Sequence, residues 1–180
     1  ISDGGIQEEV SQGAGRMAGH LGLDNLIMFY DANDIQLSTP TADVTSEDTA
    51  LKYKAWNWNV LEIDGNDPEQ IRKALKAANE ETTRPTLIIG HTIMGKGARK
   101  ADGESFERDC GTHGAPLGGN AYVETIKNLG ADPEDPFHIF PEVAEMYKER
   151  LGKLTQEVEL IRQIEKKWAQ ENPEKSQLLS

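Results

Sequence analysis

Residues 1–37 read ISDGGIQEEVSQGAGRMAGHLGLDNLIMFYDANDIQL, and the order of patterns within them decides the fold. Ile1 and Ser2 read as the end of a strand, as if the chain opened inside that element, and Asp3-Gly4-Gly5 as the turn that follows it. Ile6, Val10, Ala14, Met17, Ala18 and Leu21 then recur at helical spacing. Small residues dominate that stripe, which suits close packing against a neighbouring element, and Gly22 is a natural helix stop. Leu26–Tyr30 is a continuous apolar run, the pattern of a strand buried on both faces.

The same alternation continues outward. Thr45 or Ser46 can cap a helix over EDTALKYKAW (47–56), with Glu47 and Asp48 in its first turn. NVLEIDG (59–65) reads as a short strand, and Asp67 with Pro68 opens a helix through NDPEQIRKALKAANEE (66–81). RPTLIIGHTI (84–93) is another strand. Strands alternating with helices predict the α/β class: a parallel sheet with helices on both faces, followed by a helical tail. Gly95–Gly119 mixes glycine with charge and reads as a working loop, and NAYVETIKNLG (120–130) as a short helix. The expected organisation is an α/β domain over 1–136 and a helical linker or tail over 137–180, with a long exposed helix from Pro141 to about Glu171.

The chain has 180 residues, 37% hydrophobic and 28% charged, which suits one domain of ordinary size or one domain with an appendage. A net charge of −12 argues against nucleic acid and anionic membrane as partners, since both need a basic face. It leaves room for a small phosphorylated ligand held by backbone N–H groups and a metal ion. Cys110 is the only cysteine, so no internal disulfide forms, and no apolar run approaches the roughly 20 residues that span a bilayer. These features predict a soluble, cytoplasmic protein.

In a parallel sheet the carboxyl ends of all strands share one edge, and ligands bind along it. Asp3 follows one strand and Asn33 the next, with one helix of return path between them, so the two are expected to face each other. A carboxylate, an amide carbonyl and the nearby backbone carbonyl of Ile35 are hard oxygen donors, suited to Mg²⁺ with Ca²⁺ as the alternative. The glycines after Asp3 allow a diphosphate to approach the backbone at a helix start. Spacing alone leaves the plainer reading open, that of ordinary turns.

The stretch SDG, a helix and FYDANDIQL resembles the thiamine-diphosphate fingerprint, a Gly-Asp-Gly turn answered by Asn about thirty residues later. AGHLGLDNLIMFYDANDIQL, KYKAWNWNVLEIDGND, RPTLIIGHTIMGKG and THGAPLGG are similar in wording and order to transketolases. The resemblance runs from Asp3 to about Gly119 and implies part of the amino-terminal, diphosphate-binding domain of a longer enzyme. That enzyme transfers a two-carbon ketol unit between sugar phosphates, with thiamine diphosphate and Mg²⁺, as a cytoplasmic homodimer of the pentose phosphate pathway. Alone, the present piece would be silent in catalysis. Other thiamine-diphosphate enzymes (phosphoketolase, deoxyxylulose-phosphate synthase, 2-oxo acid dehydrogenase) share the fingerprint but not the HGAPL run, and a catalytically silent interaction fragment is the third reading.

Residue by residue, the resemblance implies metal ligation by Asp3, Asn33 and the Ile35 carbonyl, and diphosphate contact at Gly4. Ser2 stands where the family has Gly. Glu8 matches an acid near cofactor and subunit interface, with a solvated helix acid as the alternative. Leu37 and Met94 fall where apolar residues meet the thiazolium ring, with core packing as the alternative. His113 matches a catalytic histidine that reaches the diphosphate and the substrate hydroxyls. Asp31 either orients Asn33 or ends the strand. The partners implied are sugar phosphates and the remaining domains of the same enzyme or a sister chain.

Overall fold

A computed structural model of the chain describes residues 1–37 and 39–179, leaving aside Ser38 and Ser180, on which no proposed site residue falls. Helices α1 (Asp3–Gln7) and α2 (Glu9–Leu21) lead to strand β1 (Ile27–Ala32), helix α3 (Thr49–Ala55), strand β2 (Asn59–Asp64), helix α4 (Pro68–Glu80) and strand β3 (Thr86–His91). Helices α5 (Asn120–Asn128), α6 (Pro141–Glu171) and α7 (Pro173–Leu178) complete the order. The chain divides into two compact units, Ile1–Pro133 and a second from Glu134 onward.

In the first unit the three strands pair in parallel in the order β1-β3-β2, with Ile27 and Asn59 both opposite Thr86. Each crossover carries a helix, as parallel pairing requires. One face packs Leu87 and Ile89 with Ile6, Ala18, Tyr53 and Trp58; the other packs Ile88 with Ala74 and Ala78 of α4. The sheet with helices on both faces is therefore as the alternation implies.

Burial corrects one strand. Only Tyr30 and Ala32 of β1 are buried, while Ile27, Met28 and Phe29 are half-buried. The strand enclosed on both faces is β3, because β1 lies at the sheet edge and β3 between two neighbours. The edge of β1 is partly met by Ile1 and Ser2: Ile1 N donates to the Phe29 carbonyl at 2.7 Å, and Asp31 N donates to the Ile1 carbonyl at 2.9 Å.

The first helix differs more. It is interrupted at Glu8, whose extended backbone (φ −61°, ψ 134°) separates α1 from α2. Val10, Met17 and Leu21 point outward, at 84%, 60% and 60% exposed, and the buried face of α2 is Gly15, Ala18 and Gly19. The reason is an aromatic cluster from the α3–β2 corner, with Tyr53 edge-on to Trp58 at 5.2 Å. Trp58 Nε1 donates to the Gly15 carbonyl at 2.8 Å, and a Cβ on Gly19 would stand 1.8 Å from the Trp56 carbonyl oxygen. Only glycine lets α2 lie this close. Of the stripe, Ile6 and Ala18 join this packing, whereas Ala14, Val10, Met17 and Leu21 are exposed.

Asp48 caps α3 by accepting from Leu51 N at 2.8 Å, in place of Thr45 or Ser46, because the residues before it form a separate turn in which Thr45 Oγ1 accepts from Glu47 N. Asp67 caps α4 ahead of Pro68, as its sequence implies. Gln70 and the first-turn amides hydrogen-bond the Asp67 carboxylate and hold it below the usual carboxylate range. The 95–119 segment is irregular but strapped to α5: Arg99 N donates to Thr125 Oγ1 and Asn128 Nδ2 to the Gly97 carbonyl, both at 2.9 Å.

In the second unit α6 begins at Pro141 and has no buried residue. Its apolar side chains, such as Leu151 and Ile161, are 64% and 53% exposed. Pairs one turn apart, such as Lys153 with Glu149 at 2.8 Å, decorate it and add a few tenths of a kcal/mol each. Among the described residues no helix is long and apolar enough to cross a membrane.

Candidate functional site

The site lies at the carboxyl ends of the strands. Ser2 ends the short pairing with β1 and caps α1, its Oγ accepting from Gly5 N at 3.4 Å. Asp3 is thus the first helical residue rather than part of a free turn, and its side chain is 1% exposed. Asp3 Oδ1 accepts from the Tyr30 hydroxyl at 2.8 Å, and Oδ2 accepts from Asn33 N at 3.1 Å. The two residues expected to meet across the sheet edge therefore do meet. Burial, then the hydrogen bond to Asp3 and the negative charge of that carboxylate, raises the Tyr30 hydroxyl far above its ordinary value, so it stays a donor.

Beyond β1 the chain folds back through Asn33–Ile35, with Asp34 in the left-handed region at φ 66°. Ile35 is buried and pairs with Pro40 across the loop. Asn33 Oδ1 accepts from Ile35 N at 3.1 Å, and its Nδ2 reaches Asp31 Oδ2 at 3.4 Å.

Above these residues opens a cleft of about 670 Å³. Gly4, Glu8, Asn33, Ile35, Leu37, Met94 and His113 all line it, and Asp3 lies beneath, bonded to Asn33. Every proposed site residue is thus gathered in one place, although the segments that supply them are far apart in sequence. Leu37 is 82% exposed, which removes the core-packing alternative for it; Met94 is half-buried on the opposite strand-end loop. Glu8 is exposed at the break between α1 and α2. His113 is exposed at the end of the short turn Cys110–Thr112.

The donor set fits a divalent cation with a diphosphate. Asp3 is a buried carboxylate whose bonds come from neutral donors, and among the described residues it makes no ion pair. Leaving such a charge without a cation is costly. A Cβ on Gly4 would meet nothing within 4 Å, so bare backbone faces open space there. Gln36, also on the cleft wall, has its Nε2 buried and without a partner among the described residues. Among the described residues no group of three or more His, Cys, Asp or Glu is placed to hold a metal, so a cation here would draw on amide, backbone or ligand oxygens besides carboxylate.

A family model described as "Transketolase, thiamine diphosphate binding domain" matches residues 1–180. The chain belongs to the transketolase family. Over 150 residues it is 40% identical to a transketolase of Streptococcus pyogenes, covering 83% of this chain and 20% of that protein. It is 34% identical over 179 residues to the dihydroxyacetone synthase of Pichia angusta, covering 98% and 24%. A transketolase of Pichia stipitis solved in complex with sedoheptulose-7-phosphate superposes with a TM-score of 0.86 at 30% identity, covering 97% of this chain and 25% of that one. This transketolase-family chain spans a fifth to a quarter of the length of these relatives.

Two site features were not read from the sequence. Tyr30 looks like one more apolar residue of a buried strand, although a hydroxyl-bearing aromatic just before an acid at a strand tip is a signal that it has a polar partner. Thr92, which donates through Oγ1 to Asp31 Oδ1, lies 61 positions away and has no local signature.

Proposed function

We propose that the chain is the Mg²⁺–thiamine diphosphate anchor of a transketolase, a transferase moving a two-carbon ketol unit from a ketose phosphate to an aldose phosphate. The buried Asp3 carboxylate bonded to Asn33 under a glycine-floored cleft carries this reading. Asp3 Oδ2 or Oδ1, Asn33 Oδ1 and the Ile35 carbonyl would hold the cation, and the backbone at Gly4 would meet the diphosphate. One carboxylate neutralises half of a divalent charge and diphosphate oxygens would supply the rest, so metal and cofactor should each strengthen the binding of the other. Leu37 and Met94 line the cleft and would offer the ring apolar surface that excludes water from it. His113 lines the cleft from the 95–119 loop and would hydrogen-bond the diphosphate and substrate hydroxyls, and Glu8, at the helix break, would lie near the cofactor. When bound, thiamine diphosphate supplies the electron sink that lets the bond beside a carbonyl break.

The reading extends to the whole: residues 1–136 serve as the binding domain and 137–180 as a linker, within a longer cytoplasmic, homodimeric enzyme of the pentose phosphate pathway. The test is calorimetric titration of thiamine diphosphate, with and without Mg²⁺, into the polypeptide carrying this chain and into its Asp3→Asn/Asn33→Ala variant. Expected is binding that requires Mg²⁺ and weakens at least about 100-fold in the variant. A folded wild type that binds equally well without metal, or a variant that binds like wild type, overturns the assignment.

A further inference from the structure

An amide side chain can present either end to a cation, but only the oxygen ligates one. We infer that Asp31, held by Thr92, is the positioning residue that fixes the Asn33 amide with Oδ1 as the available ligand; this rests on the metal site proposed above. Asn33 Oδ1 accepts from Ile35 N at 3.1 Å while its Nδ2 faces Asp31 Oδ2 at 3.4 Å. Rotating the amide by half a turn would set Nδ2 against the Ile35 N–H, donor on donor, and Oδ1 against the Asp31 carboxylate, acceptor on acceptor. Both ends therefore reject the wrong orientation. One lone pair of Oδ1 is taken by Ile35, and the second remains for a cation.

Asp31 works this way only if its own carboxylate is fixed. Its other oxygen, Oδ1, accepts from the Thr92 hydroxyl. Thr92 is delivered there by the sheet: β1 and β3 pair with Ala32 opposite His91, and Thr92 N continues the ladder by donating to the Ala32 carbonyl at 3.1 Å. The Asp31 backbone is held from the other side, its N–H donating to the Ile1 carbonyl at 2.9 Å. Asp31 makes no ion pair among the described residues, so no cation competes for its orientation. The chain of contact runs Thr92–Asp31–Asn33, from the end of the best-buried strand to the metal loop.

The test is Mn²⁺ binding, in the presence of thiamine diphosphate, by the polypeptide carrying this chain. Free Mn²⁺ is read by electron paramagnetic resonance, and metal-free thermal unfolding is followed in parallel. Thr92→Val keeps the shape and removes the hydroxyl; Thr92→Ser keeps the hydroxyl; Asp31→Ala removes both accepting oxygens and leaves the Asn33 amide free to turn. Expected are losses in Mn²⁺ affinity of about 10-fold for Thr92→Val and up to about 100-fold for Asp31→Ala, with Thr92→Ser near wild type in affinity and in metal-free melting. If Thr92→Val binds like wild type, or if Thr92→Ser fails with it, the inference falls and the site stands. If wild type binds no Mn²⁺ with thiamine diphosphate, the site falls and takes the inference with it.

Discussion

Two clefts of similar size open at the carboxyl edge of the sheet, on either side of the Asn33–Ile35 loop. The first, about 670 Å³, is the proposed site; the second, about 590 Å³, is lined by residues such as Asp34, Glu62, Asp64, His91, Lys96 and Arg108. The second is the richer in charge, yet Asp64, Gln70, Glu62 and His91 are engaged with neighbouring groups near water. Asp64 Oδ1 accepts from Asn66 N at 2.8 Å, Gln70 Oε1 accepts from Asp64 N at 3.0 Å, and His91 lies 3.8 Å from Glu62 with both side chains about half exposed. The first has fewer charges but places one carboxylate out of water, fixed at both oxygens and unpaired. Neither volume nor charge count sets the proposed site apart; a buried acid held in one geometry does.

That contrast can be broken at several points. Gly4→Ala should act most strongly: its new methyl meets no protein atom, so the fold is kept or slightly stabilised, but it occupies the space left for the diphosphate. Losing a hydrogen bond to a charged group corresponds to about 10- to 100-fold weaker thiamine diphosphate binding, read by calorimetry beside an unchanged melting temperature. If binding is untouched, the cleft is not where the diphosphate lies. Tyr30→Phe should come next. It removes the donor that fixes Asp3 Oδ1 and should weaken Mg²⁺-dependent binding about 10-fold, most visibly when metal is limiting. Glu62→Gln in the second cleft should do least, leaving cofactor affinity within about twofold because its partners, Lys54 and His91, are both exposed. A large loss there would show that the two clefts act as one.

The sequence discloses the first cleft unevenly. Asp3 and Asn33 are legible because one helix of return path necessarily brings consecutive strand tips to the same edge. Asp67-Pro68 is legible because a cap and a first-turn proline are local chemistry. The break at Glu8 is not, since helical spacing runs straight through it and only the cleft-facing backbone shows the interruption. Nor is the outward turn of Val10, Met17 and Leu21, because the buried face was chosen by glycines fitting against Trp56 and Trp58, a tertiary decision. Thr92 could not be found at all: its meeting with Asp31 follows from strand register, which no window of sequence contains.

The pairing of Ile1 and Ser2 with β1 has a consequence for how this segment can vary. Asp3 is placed by the two residues before it, and a single inserted residue would carry its carboxylate roughly 3.3 Å along the strand. Metal ligands tolerate displacements of about 0.2 Å. Point changes around the site should therefore be graded in effect, whereas any length change between Ser2 and Asp3 should be all-or-none, making this short stretch a reading frame for the metal loop rather than merely an edge of the sheet.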